Sequence, residues 1–157
     1  MEIRRATDGD REWAAELMAS TDPWITLGRD RAQCLKALQR PGFDLHIASA
    51  EKRVGFLLTH PHGLAGLPYL SSLAVSTDCR SHGVGTRLLT WFEDRYRGRA
   101  RWAFLCVSSF NHRAQELYRR AGYLQVGRLD DHSLEGAAEL IMRKRPPTPR
   151  WRFCTGS

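Results

Sequence analysis

No stretch of the 157 residues approaches the ~18 consecutive apolar positions that a membrane-crossing helix requires, which excludes a helical membrane protein. The opening residues, Met1-Glu-Ile-Arg-Arg-Ala, lack the apolar core of a secretory signal, so a cytoplasmic location is expected. Cysteine is sparse. Cys34, Cys79, Cys106 and Cys154 show no Cys-x-x-Cys spacing and no companion histidine set, which predicts free thiols in a reducing compartment and no metal site. His60-Pro-His62 alone is too thin a ligand set to argue otherwise. Acids are missing altogether from residues 143–157. There Arg143, Lys144, Arg145, Arg150 and Arg152 carry five of the chain's seven net positive charges. The basic character therefore belongs to the C-terminal segment and not to a folded face. A nucleic-acid role would rest on that segment alone, and no stripe of alternating aromatic and basic residues in the core suggests one.

The richest stretch runs from Leu70 to Tyr96. An apolar strand ending Leu73-Ala74-Val75 is followed by the turn Ser76-Thr77-Asp78-Cys79 and then by Arg80-Ser81-His82-Gly83-Val84-Gly85-Thr86. Val84, Leu88, Trp91 or Phe92, and Tyr96 recur at helical spacing, so the Gly-rich turn opens a helix. The first N–H groups of a helix lack intrahelical partners, and the positive end of its dipole faces the turn. Such a turn suits an anion. Gly83 and Gly85 let the backbone approach a phosphate, and Arg80 adds a forked donor. A lone Gly-x-Gly is equally an ordinary loop. Two nucleotide readings fail: the third Rossmann glycine is replaced by Leu88, and no Gly-Lys-Ser/Thr is present.

The remaining pattern, Arg-x-x-Gly-x-Gly between strand and helix, resembles the pyrophosphate-binding motif of the GNAT superfamily of acyl-CoA-dependent N-acetyltransferases. A second segment, Asn111-His-Arg-Ala114-Gln-Glu-Leu117-Tyr118-Arg-Arg-Ala121-Gly122-Tyr123, resembles that family's Asn-x-x-Ala-x-x-Leu-Tyr-x-x-x-Gly-Phe/Tyr element, about 30 residues further on.

The remaining elements follow from periodicity. Ile3 to Ala6 reads as a short strand, and Thr7 and Asp10 as the cap of a helix with Trp13, Ala14, Leu17 and Met18 inward, ending near Pro23. A second helix covers Asp30 to Gln39. Strands are expected over 44–49 and 54–59, a Gly/Pro loop over 60–68, and a strand over 101–107. Asn111 caps a helix stopped by Gly122, and 123–127 with 138–143 close as a hairpin. The order βααβββαβαββ is the one the resemblance implies. The expected fold is α+β, a mixed sheet of six to seven strands flanked by about four helices, with a splayed central strand pair. Residues 1–145 form the domain, and 146–157 read as a basic, Pro-broken, mobile tail.

The resemblance implies acetyl-CoA as co-substrate. Leu73, Ala74 and Val75 would meet the pantetheine, and Arg80, Ser81, His82, Gly83, Val84, Gly85 and Thr86 the pyrophosphate. Asn111 would be a helix cap, a pantetheine contact, or both. Tyr118 would donate a proton or hydrogen bond to the departing thiolate, since a phenol titrates near 10 and a thiol near 8.5. The alternative role of Tyr118 is as the aromatic member of a buried helix face. Many relatives carry a Glu on the strand before the anion loop, but Leu67-Pro-Tyr-Leu-Ser-Ser-Leu-Ala-Val has no carboxylate. Tyr69 and Ser72 are left as links in a water relay. Cys106 has no visible activating partner, which favours direct transfer. Asp22 and Trp24, with loops near His60 and His132, would line a pocket for a small-molecule or peptide amine. A homodimer through the closing strands is common in similar folds. The competing function is a non-catalytic acyl-CoA-binding module of the same fold.

Overall fold

The computed structural model describes residues 1–148; part of the tail expected over 146–157 thus lies outside the described residues. The order is β1 (Glu2–Arg5), α1 (Asp8–Ala19), α2 (Arg31–Leu38), β2 (Asp44–Ser49), β3 (Arg53–Leu64), β4 (Leu67–Val75), α3 (Val84–Arg95), β5 (Ala103–Ser108), α4 (His112–Arg120), β6 (Leu124–Asp130) and β7 (Ala138–Lys144). The seven strands form one sheet in the order β1-β2-β3-β4-β5-β7-β6, antiparallel except where β4 meets β5. The mixed α+β fold expected from the sequence is the fold observed.

Local chemistry sets the boundaries. Thr7 and Asp10 form a reciprocal capping box at α1, and Asp30 with Gln33 forms another at α2. Gly122 takes φ +95° just past α4, a value that glycine adopts without a Cβ penalty. The segment expected to be a Gly/Pro loop over 60–68 is instead mostly strand: β3 runs on to Leu64 and β4 begins at Leu67. A register shift between His60 and Leu64 accommodates Pro61, which has no N–H for the ladder. The reversal is confined to Ala65 and Gly66, both at positive φ.

The sheet separates two cores. On one face α3 and α4 pack through Leu88, Leu89, Phe92 and Tyr118 on Leu57, Leu70, Leu105, Leu140 and Met142. On the other α1 and α2 pack through Ala14, Ala15, Met18, Cys34 and Leu38 on Ile47, Phe56, Leu58 and Ala74. Buried Glu93 of α3 receives a 2.8 Å bond from Lys144 Nζ of β7.

His46 on β2 is buried against the Trp91 ring, with centroids 4.6 Å apart, and its Nδ1 has no partner among the described residues. Burial, followed by the charge of Arg95, lowers its pKa from 6.5 to about 4, with Asp44 opposing and Arg5 assisting. The unfolded chain thus binds this proton more readily. Stability should be complete above pH 6.5 and fall as pH drops towards 4, by at most about 3 kcal/mol. A series of melting curves over this window checks it. The same series on His46→Leu should show a flatter slope.

Candidate active site

β4 and β5 pair only at Tyr69–Phe104 and Leu70–Leu105. Beyond that apex the strands part, leaving the edge of β4 from Ser71 to Val75 without a ladder partner on the β5 side. Unpaired main-chain groups in a cleft are sites for a ligand with amides of its own. One carbonyl is taken, since Arg80 Nε donates to Val75 O at 3.3 Å.

The wider end of the gap meets the start of α3. Ser81 and Gly83 take φ of +65° and +76°, folding the chain into a tight crook before the helix. Gly83 is the N-cap and has no side chain to bond the first-turn N–H groups, so Val84, Gly85 and Thr86 offer theirs outward. A Cβ at Gly83 would meet open space, whereas one at Gly85 would press within 3.2 Å of Leu117 Cδ2. The second glycine is therefore needed for the close approach of α3 to α4, a reason different from the phosphate contact expected of it.

A cavity of about 1070 Å³ joins these features. Its walls include Leu73, Ala74, Val75, Arg80, Ser81, Gly83, Val84, Gly85, Thr86 and Asn111, together with Asp22 and Trp24 from the connection after α1. Three predicted residues stand apart from this lining. His82 is exposed, with its Nδ1 2.7 Å from Arg80 O; Ser72 sits on β4 opposite Leu58; Tyr118 is buried beneath the α4 wall. His60 lies within β3, and His132 lies exposed in the β6–β7 connection, not in the wall.

Asn111 Oδ1 accepts from Ala114 N at 3.2 Å, so its capping role is present. Asp22 Oδ1 accepts from Thr26 N at 3.1 Å and Thr26 Oγ1 at 2.6 Å, and its second oxygen has no partner among the described residues. Tyr118 shares its helix face with Ala114 and Ala121, both in the wall, and lies 6.1 Å from Tyr123 between ring centroids. Its hydroxyl has no hydrogen-bond partner among the described residues. Burial holds the phenol far above its ordinary value, which makes it a weaker acid while leaving it a hydrogen-bond donor. Burial also pushes the Cys106 thiol up, which opposes thiolate formation there.

Sequence reasoning passed over Arg113 and Arg120. Both line the cavity, and Arg113 Nη2 reaches Ser81 Oγ at 3.5 Å. Their spacing of seven on a helix, which places both on one face, was the available signal. Gln115 was also missed. It is buried, and its Nε2 donates to Ser108 O at 3.1 Å and Ser109 O at 2.9 Å, tying α4 to the end of β5.

A family model described as the acetyltransferase (GNAT) family matches residues 10–123. Among solved structures, an aminoglycoside 6'-N-acetyltransferase complexed with coenzyme A aligns at TM-score 0.73 and 20% identity, covering 96% of this chain and 99% of the other. An aminoglycoside 6'-acetyltransferase type Ii aligns at 0.74 and 23% identity, with coverage of 96% and 99%. A ribosomal-protein-alanine N-acetyltransferase from Brucella melitensis aligns at 0.67 and 20% identity, covering 92% and 99%. A search of the curated proteins found no significant match.

Proposed function

We propose, from the premise that the chain belongs to the acetyltransferase (GNAT) family, that it transfers an acetyl group from acetyl-CoA to a primary amine by direct attack. The observation that carries this reading is the gap itself. One cavity lies along the free edge of β4 past the point where β5 leaves it, facing α4, with unpaired strand edge on one wall and an uncapped helix start flanked by arginines at its far end. Those two chemistries suit the two halves of a CoA thioester, amide-bearing arm and pyrophosphate. Arg80 to Thr86 would hold the pyrophosphate through N–H groups and guanidinium. Leu73 to Val75 would bond the pantetheine, with Asn111 as a further contact. Main-chain donors of β4 would face the thioester oxygen, where negative charge develops. As the neutral amine nitrogen bonds to the carbonyl carbon, the carbon–sulfur bond breaks, its electrons go to sulfur, and the proton the nitrogen sheds passes to water. Tyr118 donates the hydrogen bond that sulfur then accepts; burial, which raises the phenol's pKa, favours this over complete proton transfer.

The acceptor is an amine in the named neighbours: an aminoglycoside in two, a ribosomal-protein alanine in the third. For this chain Trp24 and Asp22 at the cavity wall, with Ser72, are the proposed acceptor contacts. The lack of a carboxylate on β4 favours a second reading, a module that binds acetyl-CoA without turning it over. Release of free CoA thiol on adding an amine separates the two. Within the catalytic reading, Tyr118→Phe should lower kcat about tenfold, with a smaller change in KM for acetyl-CoA. Unchanged turnover would remove Tyr118 from the mechanism.

A further inference from the structure

A carboxylate, Glu139, stands on another strand of the sheet, β7. Antiparallel partners share a sheet face, so Cys106 faces with Ile141 and Ser108 with Glu139. Leu105, Val107, Leu140 and Met142 point to the α3–α4 core, and Leu70 of β4 joins them there. Tyr69, Cys106, Ser108 and Glu139 therefore lie together on the opposite face. The helices of that face, α1 and α2, cover β2 to β4. Tyr69 belongs to the last paired rungs and Cys106 is the first β5 residue beyond them, while Ser108 and Glu139 follow further along β5 and on β7, next to but not in the wall of the cavity described above.

Glu139 is half-buried, and one of its oxygens is fixed by a 2.6 Å bond from Ser108 Oγ, itself buried. No cation pairs with it among the described residues, whereas buried Asp10 and Glu93 both have cationic partners. A positioned carboxylate with a free oxygen and no counter-charge, beside the point where the strands part, is a receptor for a cation. Its neighbours Tyr69 and Cys106 stay uncharged, each held above its ordinary pKa by burial first and by Glu139 as a lesser cause. Arg40, the nearby cation, is turned to Ser71 Oγ at 2.9 Å and stacked on Phe43.

We propose that Glu139 is a further acceptor-recognising residue of this enzyme, pairing with an ammonium of the incoming substrate near the parting of β4 and β5 and thereby selecting amines that are cationic. This rests on the acetyltransferase reading above.

The test uses the full chain and Glu139→Gln, an isostere that can keep the Ser108 bond. Tobramycin, spermidine and an alanyl peptide serve as cationic probes, and hydroxylamine as an amine that is uncharged at neutral pH. Free CoA thiol is followed at saturating acetyl-CoA with the enzyme-free rate subtracted, since hydroxylamine cleaves thioesters unaided, and calorimetry gives the Kd of acetyl-CoA and of each cationic probe. For those cationic probes that the wild type accepts, the variant should raise KM about tenfold or more, while hydroxylamine turnover and acetyl-CoA Kd stay within about twofold. Equal losses with hydroxylamine, or no loss with the cations, would overturn the assignment. So would a wild type that neither binds nor acetylates any of the three cations. A wild type that binds acetyl-CoA yet releases no CoA even to hydroxylamine would defeat the acetyltransferase reading instead. Glu139 would then be judged on calorimetric binding of the three cations alone.

Discussion

Gly83→Glu is expected to weaken acetyl-CoA binding by at least about a hundredfold in calorimetry, which corresponds to about 2.7 kcal/mol. Two effects combine. At φ +76° any L-residue other than glycine pays a backbone penalty of roughly 1 kcal/mol. The larger effect is electrostatic. A side chain here enters open space at the start of α3, where the first-turn N–H groups and Arg80 are placed to hold a pyrophosphate. Two like charges about 4 Å apart near a protein surface repel by about 4 kcal/mol, enough to dominate the backbone cost. Gly83→Asn separates the two, because asparagine tolerates the left-handed region and brings no charge. Retained binding in the Asn variant with loss in the Glu variant identifies the anion site. Equal binding in wild type and Glu variant would remove the pyrophosphate from this loop.

The strand–turn–helix at 70–96 was legible because its signals are local: a run of apolar residues, a Gly-x-Gly turn, a helical period. The caps at Thr7 and Asn111 were legible for the same reason, since each bonds a backbone group three residues on. What escaped depends on pairing across the sheet. Pro61 and Gly63 read as loop residues, yet β3 carries them through a bulge because the β4 partner continues beyond it. Glu139 lies 31 residues from Ser108 in sequence and meets it only because β7 inserts beside β5. Gly85 was recognised but for an incomplete reason, since its contact with Leu117 exists only once α4 has docked.

Asp10 shows the same division and carries the second large effect, one of stability. From the sequence it is a capping residue. In the fold its buried carboxylate also receives Arg4 Nη1 at 2.6 Å and Nη2 at 3.2 Å from β1, and Arg53 Nε at 2.7 Å from β3, besides Thr7 N at 2.8 Å. One side chain thus fixes the start of α1 to two strands, and α1 leads into the Asp22–Trp24 wall of the cavity. Asp10→Ala should cost about 3 kcal/mol, the lower end for breaking a buried ionic network, because Arg4 and Arg53 are partly exposed and can turn to water. For a chain of this size that lowers Tm by roughly 10 °C. Asp10→Asn keeps an acceptor and should cost about half as much. Arg4 foremost holds the Asp10 carboxyl well below the usual range, against the opposing effect of burial. Its contribution is therefore present above about pH 4 and is lost as pH falls further. The His46 contribution is lost over the window above that, between 6.5 and about 4. Acid unfolding should accordingly show two separable slopes, the upper removed by His46→Leu and the lower by Asp10→Asn. An Asp10→Ala protein within about 0.5 kcal/mol of wild type would mean that the apolar face of α1 anchors the helix unaided.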